Sequence, residues 1–150
     1  MVKALGIGLG LVVLLALALP LMMAYMDRFS NPGVIEELRR EPDGERARKV
    51  MVLTLPSGRV IPVNYLREGA RVYAGADGRW WRELVGDPKP VELLVRGERL
   101  EGLGRAVRDD PDYTKDVFAR LRPKAVPGFG TLIEIRLDPD DPPGPVTGSP

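Results

Sequence analysis

Between Lys3 and Asp27 the chain runs from Ala4 to Met26, 23 residues, without a charged side chain. As a helix this stretch extends about 34 Å, enough to cover a hydrocarbon core of roughly 30 Å. No polar face interrupts the run, so it does not read as a surface helix of a soluble domain. It predicts a single transmembrane anchor over residues 1–26. A cleavable signal peptide is the competing reading, since Ala16-Leu17-Ala18 has the small-x-small form and Lys3 gives a positive start. Against it, such apolar regions run only about 7–15 residues, whereas this one continues to Met26. Pro20 removes one helical hydrogen bond and predicts a kink, which membrane helices tolerate. One lysine precedes the span, whereas Arg28, Arg39, Arg40, Arg46, Arg48 and Lys49 follow it. The positive-inside rule then places the C-terminal part in the cytoplasm.

The chain has no cysteine and no histidine. That excludes disulfide frameworks, thiol nucleophiles, the usual Cys/His zinc sites, Ser-His-Asp triads and imidazole proton shuttles. Chemistry must run on carboxylates, hydroxyls, backbone groups or a borrowed cofactor. Of the 22 basic residues, 21 follow the anchor, and of the 21 acidic ones, 3 lie in the tail after Leu137. Residues 27–137 therefore carry 21 positive and 18 negative charges, a net +3. This is too mild to argue for nucleic acid, and it suits the anionic leaflet of a membrane.

Asn31-Pro32 reads as a helix cap followed by proline at the first helical position, with Val34, Ile35 and Leu38 as an apolar stripe up to Arg40. Residues 27–48 are thus a juxtamembrane helix and linker. From there the chain predicts six strands: Lys49 to Leu55, Val60 to Leu66, Arg71 to Ala76, Val91 to Arg96, Arg99 to Val107 and Thr131 to Leu137. Turn signals at Pro56-Ser57-Gly58, Glu68-Gly69 and Gly97-Glu98 join them mostly as hairpins. Close spacing of this kind argues for a mainly β fold, a small six-stranded antiparallel barrel over residues 49–137, rather than a parallel α/β sheet. Pro62 inside the second strand implies that its nitrogen faces a bulge or a free edge. Two short helices interrupt the meander. One follows Asp77-Gly78 and carries Trp80 and Trp81, which helical geometry sets about 100° apart, so that one of them faces the barrel. The other starts at Asp110-Pro111, places Tyr113, Val117, Phe118 and Leu121 on one face, and should lie across an opening or edge of the barrel. Residues 138–150 hold five prolines, three aspartates and no basic residue, the composition of a disordered tail.

Two stretches resemble the split-barrel family of deazaflavin-dependent nitroreductases and quinone reductases, relatives of flavin-binding pyridoxamine-phosphate-oxidase-like barrels. Pro62-Val63-Asn64-Tyr65-Leu66-Arg67-Glu68-Gly69-Ala70-Arg71-Val72 is similar to that family's Pro-Leu-Tyr-Tyr-Leu-Arg-Asp-Gly-x-Arg-Val hairpin. Trp80-Trp81-Arg82-Glu83-Leu84-Val85-Gly86-Asp87-Pro88 is similar to its Trp-Tyr-x-Asn-Leu-x-x-Asn-Pro helix. The resemblance covers roughly Lys49 to Leu137 and implies a six-stranded split β-barrel with a cofactor in a groove between strands and helices. The family's phosphate-binding turn, Thr-Thr-Gly-Arg-Lys-Ser-Gly, is matched by Leu53-Thr54-Leu55-Pro56-Ser57-Gly58-Arg59, which keeps Thr54, Ser57 and Gly58 and lacks the basic pair. The Gly-Gly loop of the family is cut to Asp77-Gly78-Arg79.

Hydride transfer suits a chain without His or Cys, because the cofactor carries the reactive atom. The resemblance implies cofactor contacts from Thr54, Ser57, Gly58, Arg59, Gly78, Arg79 and Trp80. Turn amides at Ser57 and Gly58 form an anion-binding concavity, and Arg59 or Arg79 pairs with phosphate. Tyr65 or Tyr73 would donate to a quinone oxygen as the catalytic hydroxyl. Beside these stand plainer readings: a hairpin turn at Ser57-Gly58, solvated arginines, tryptophans in the core or at the membrane interface, and tyrosines in cross-strand packing. The expected function is a membrane-anchored oxidoreductase using deazaflavin coenzyme, with FMN or no cofactor as alternatives, and a quinone drawn from the bilayer as acceptor. The alternative class is a non-catalytic tethered barrel that has lost the cofactor clamp and serves as a binding or assembly module. The resemblance allows a homodimer; no nucleic-acid partner is expected.

Overall fold

The computed structural model describes Ala16, Ala18, Pro20, residues 32–126 and residues 128–137. The anchor expected from Ala4 to Met26 lies outside the described residues apart from those three, which are helical, and so does the tail after Leu137. Among the described residues no helix is long and apolar enough to cross a membrane. The chain divides into a unit Met1–Glu36 and a unit Glu37–Pro150, and the barrel belongs to the second.

Residues 32–40 are helical and are labelled α1; Asn31, the expected cap, lies outside the described residues, and a 3-10 turn follows at Arg46–Arg48. Six strands come next: β1 (Val50–Thr54), β2 (Val60–Glu68), β3 (Arg71–Ala76), β4 (Lys89–Val95), β5 (Glu98–Val107) and β6 (Thr131–Arg136). A six-residue 3-10 segment, Arg79–Leu84, joins β3 to β4, and helix α2 (Pro111–Leu121) joins β5 to β6. All pairings are antiparallel, and the order β1-β2-β3-β6-β5-β4 closes with β1 against β4.

Closure depends on the two longest strands, each of which changes partner along its length. β2 pairs with β1 through Asn64 and with β3 from Tyr65 onward. β5 pairs with β4 as far as Gly104 and with β6 from Leu103 onward. Pro62 sits where this exchange makes room for it. Tyr65 N donates to Lys49 O and Leu55 N to Arg59 O, so odd-numbered residues of β2 point their amides at β1. Pro62, opposite Val52, points its nitrogen away from β1 at a level β3 does not reach, so its missing N–H costs no ladder bond. The β4–β5 hairpin turns on Arg96 and Gly97, with φ of 49° and 79°, the two positive angles that a tight type I′ turn needs.

The alternation of each strand separates two apolar layers. Met51, Leu53, Val63, Val72, Ala74, Leu93, Ile133 and Ile135 fill the barrel interior. On the outer face, Tyr73, Val107 and Leu132 are covered by Tyr113 and Val117 of α2. Helix α2 starts where Asp110 and Pro111 indicate, with the Asp110 carboxylate accepting from Tyr113 N at 2.9 Å. The Trp80–Trp81 stretch is a 3-10 segment rather than an α-helix. Gly78 at its start has no side chain to cap it, and Gly86 and Pro88 stop it after two turns. Both tryptophans, not one, pack partly buried on the barrel core, because so short a segment lying on β3, β5 and β6 has no remote face.

Candidate functional site

The β1–β2 turn is a tightly bonded loop. Leu55 N donates to Arg59 O at 2.9 Å and Gly58 N to Leu55 O at 2.8 Å, with Gly58 at φ 83°. Its one amide directed outward, Ser57 N, donates to Glu83 Oε2 at 3.3 Å, and Ser57 Oγ accepts from Arg59 N at 3.4 Å. Two of the resembling stretches, 26 residues apart in the chain, therefore meet through a carboxylate on a turn amide. Thr54 and Gly58 edge a groove of about 700 Å³ whose walls include Leu55, Pro90, Leu103 and the carboxylates of Glu92 and Glu101.

Gly78 begins the 3-10 segment in an extended conformation, with space for a Cβ, so its lack of a side chain is not sterically required. Arg79 is exposed, Trp80 is half-buried on the barrel core, and Leu84 at the end of the segment is fully buried. Lys89, which sequence reasoning did not single out, reaches back to donate from Nζ to Glu83 O at 2.7 Å. This closes a terminal carbonyl of the segment, as basic side chains do at helix C-termini.

Neither tyrosine joins this turn. Tyr65 donates from its hydroxyl to Ala47 O at 3.1 Å, next to a cavity of about 550 Å³ edged by Arg48, Arg67 and Arg96. It lies five residues along β2 from Val60, the partner of Thr54, or about 17 Å at strand spacing. Burial raises its pKa above the ordinary tyrosine value, against the lowering pull of Arg96 and Arg67. Tyr73 faces the other way, outward beneath α2, so the two candidate donors occupy opposite faces of the sheet and cannot serve one substrate.

Tyr73 instead belongs to a buried polar cluster that the sequence conceals. Tyr113 Oη lies 2.6 Å from Glu134 Oε2 and 2.9 Å from Tyr73 Oη, while Arg105 Nε donates to Glu134 Oε1 at 3.1 Å. A carboxylate only accepts, so the single Tyr113 proton goes to Glu134 and Tyr73 is left to donate to Tyr113. Glu134 is 0% exposed, yet in Thr-Leu-Ile-Glu-Ile-Arg it occupies what the alternation marks as an outward position. Only the presence of α2 on that face turns outward into buried.

Burial first, then the hydrogen bonds to Glu134 and Tyr73 and the negative charge of Glu134, raise the Tyr113 pKa far above the ordinary tyrosine value. Above about pH 10 the unfolded chain releases this proton and the folded one keeps it, so stability is full below that pH and falls as pH rises beyond it. Urea midpoints between pH 9 and 11.5 are expected to drop more steeply for the native chain than for Tyr113→Phe. Parallel slopes would show that Tyr113 does not hold its proton in the fold.

No family model matches the chain, and no curated protein does. Among solved structures it is similar to that of a candidate pyridoxamine 5'-phosphate oxidase from Listeria innocua, with 17% identity over 68% of this chain and 91% of that one and a TM-score of 0.47.

Proposed function

We propose that this chain is a membrane-anchored barrel reductase that holds deazaflavin coenzyme or FMN beside the β1–β2 turn and serves a quinone-like acceptor. Residues 4–26 would be the anchor, with the barrel on the cytoplasmic side and the bilayer concentrating the acceptor at its surface. The observation that carries the reading is the Glu83 carboxylate on the Ser57 amide. The turn already binds an anionic oxygen, and that oxygen comes from the segment bearing Trp80, so it stands in for a phosphate oxygen at the place where a phosphorylated tail would lie. Such a cofactor, when bound, supplies the hydride. Ser57 would offer its amide and hydroxyl, Arg59 and Arg79 positive charge from either side, and Trp80 an aromatic wall.

Glu83 then competes with the ligand for the same amide. Full-length protein in a non-ionic detergent is to be titrated with each cofactor while tryptophan fluorescence is followed. Binding below 100 μM, about 5.5 kcal/mol, is expected for one of them. Glu83→Gln should tighten it about fivefold by removing the resident charge, and Arg59→Ala or Arg79→Ala should loosen it by about the same factor. No binding of either cofactor at 100 μM overturns the reading. That outcome would support the second one, a non-catalytic tethered module, which is favoured by the turn's lack of a basic pair, Leu55-Pro56 standing in its place.

A further inference from the structure

Between α2, the loop that follows it and the adjoining ends of β5 and β6 lies a groove of about 640 Å³. Its apolar lining comes from Phe118 and Ala119 of α2, Val126 and Phe129 of the loop, and Val107 and Leu132 of the strands. Val126 and Phe129 are 76% and 63% exposed, the two most exposed large apolar side chains among the described residues. Solvent-facing apolar groups gathered around a concavity signal a ligand surface more than scattered ones do. The groove has no acidic wall. Arg108 and Lys115 edge it, and neither has an ion-pair partner among the described residues; Arg108 is held over the Trp81 ring at 5.1 Å. Arg122 also lines it, tied to Asp77 and to Gly75 O, with its Nε buried and without a hydrogen-bond partner among the described residues.

The geometry points to a binding site for a small aromatic acid: a ring between Phe118 and Phe129, and one carboxylate, sulfonate or phosphate group on Arg108 and Lys115. The volume suits a ligand of that size, and the division into apolar walls and two unpaired cations is the pattern of a specific pocket. Acidic groups gain strong charge-assisted hydrogen bonds from such cations, whereas a neutral ring gains only the walls. This site is separate from the β1–β2 turn and stands whether or not the chain is a reductase.

Naphthalene-2-sulfonate and naphthalene-2-methanol are suitable probes, titrated calorimetrically into full-length protein in a non-ionic detergent. The sulfonate is expected to bind one to one below 1 mM and at least about tenfold more tightly than the alcohol. Arg108→Ala and Lys115→Ala should each weaken the sulfonate about fivefold and leave the alcohol unchanged, and Phe129→Ser should weaken both. Arg59→Ala should leave both unchanged, so failure here and failure of the cofactor reading are told apart. Equal affinity for the two probes, insensitivity to Arg108→Ala and Lys115→Ala, or no heat at 1 mM overturns the proposal. No heat together with a dimer in sedimentation that Phe129→Ser splits would also overturn it, by assigning the groove to a second copy of the chain.

Discussion

Arg105→Ala is expected to lower the unfolding free energy by about 3 kcal/mol, because it strips the paired cation from a fully buried carboxylate. Glu134 is fully buried, and Arg105, 21% exposed, is its one ionic partner among the described residues. What Ala removes is therefore mostly the compensation for a desolvated charge. The attraction between two solvated ions would matter far less, since exposed pairs such as Lys49–Glu45 contribute little. The double variant Arg105→Met with Glu134→Leu is expected to recover at least half of the loss, since apolar groups of similar volume carry no desolvation cost. Urea denaturation of Arg105→Met, Glu134→Leu and the double variant gives the coupling directly. If Arg105→Ala costs less than about 1 kcal/mol, the pair is no more than a surface contact and the buried cluster does not hold α2 to the sheet.

Leu84→Ala should cost about the same for a different reason. Leu84 is fully buried among the interior side chains of the barrel although it comes from the segment between β3 and β4. Truncation leaves a cavity that the strands, bonded on both sides, cannot collapse to fill, which places the loss at about 2–5 kcal/mol. Leu84→Met, which conserves volume, should cost under about 1.5 kcal/mol. The chain's two tryptophans, Trp80 and Trp81, sit on the same short segment, so their emission reports on it. A red shift in Leu84→Ala without one in Leu84→Met is expected. An unshifted spectrum with native stability would mean that the segment is fixed by the tryptophans and Lys89, with Leu84 a passenger.

The barrel itself was legible because its signals are local. Strand alternation, the Gly69 and Gly97 turns and the Asp110-Pro111 start each act within a few residues, and the structure places all six strands and the start of α2 within two residues of expectation. Pro62 was informative for the same reason: a missing N–H states which edge is free before the partner is known. What stayed hidden depends on elements that meet only in three dimensions. Nothing near Glu134 shows that a helix ending at Leu121 will bury it, nor does anything near Glu83 show that it will reach Ser57 across 26 residues. Tyr65 and Tyr73 looked like alternatives because both lie in adjacent strands. Since β2 and β3 set them at adjacent register positions, one opposite Ala74 and the other opposite Leu66, parity puts them on opposite faces.

The placement of β6 also orders events in time. It is the last strand among the described residues, yet it lies between β3 and β5, which are complete far earlier. While the chain is being made, β3 and β5 therefore expose unpaired backbone edges until residues 131–136 have left the ribosome. During that interval these edges are open to pairing with other chains. The same insertion that closes the barrel ends this exposure, so α2 works as the spacer that delivers the final strand to its slot.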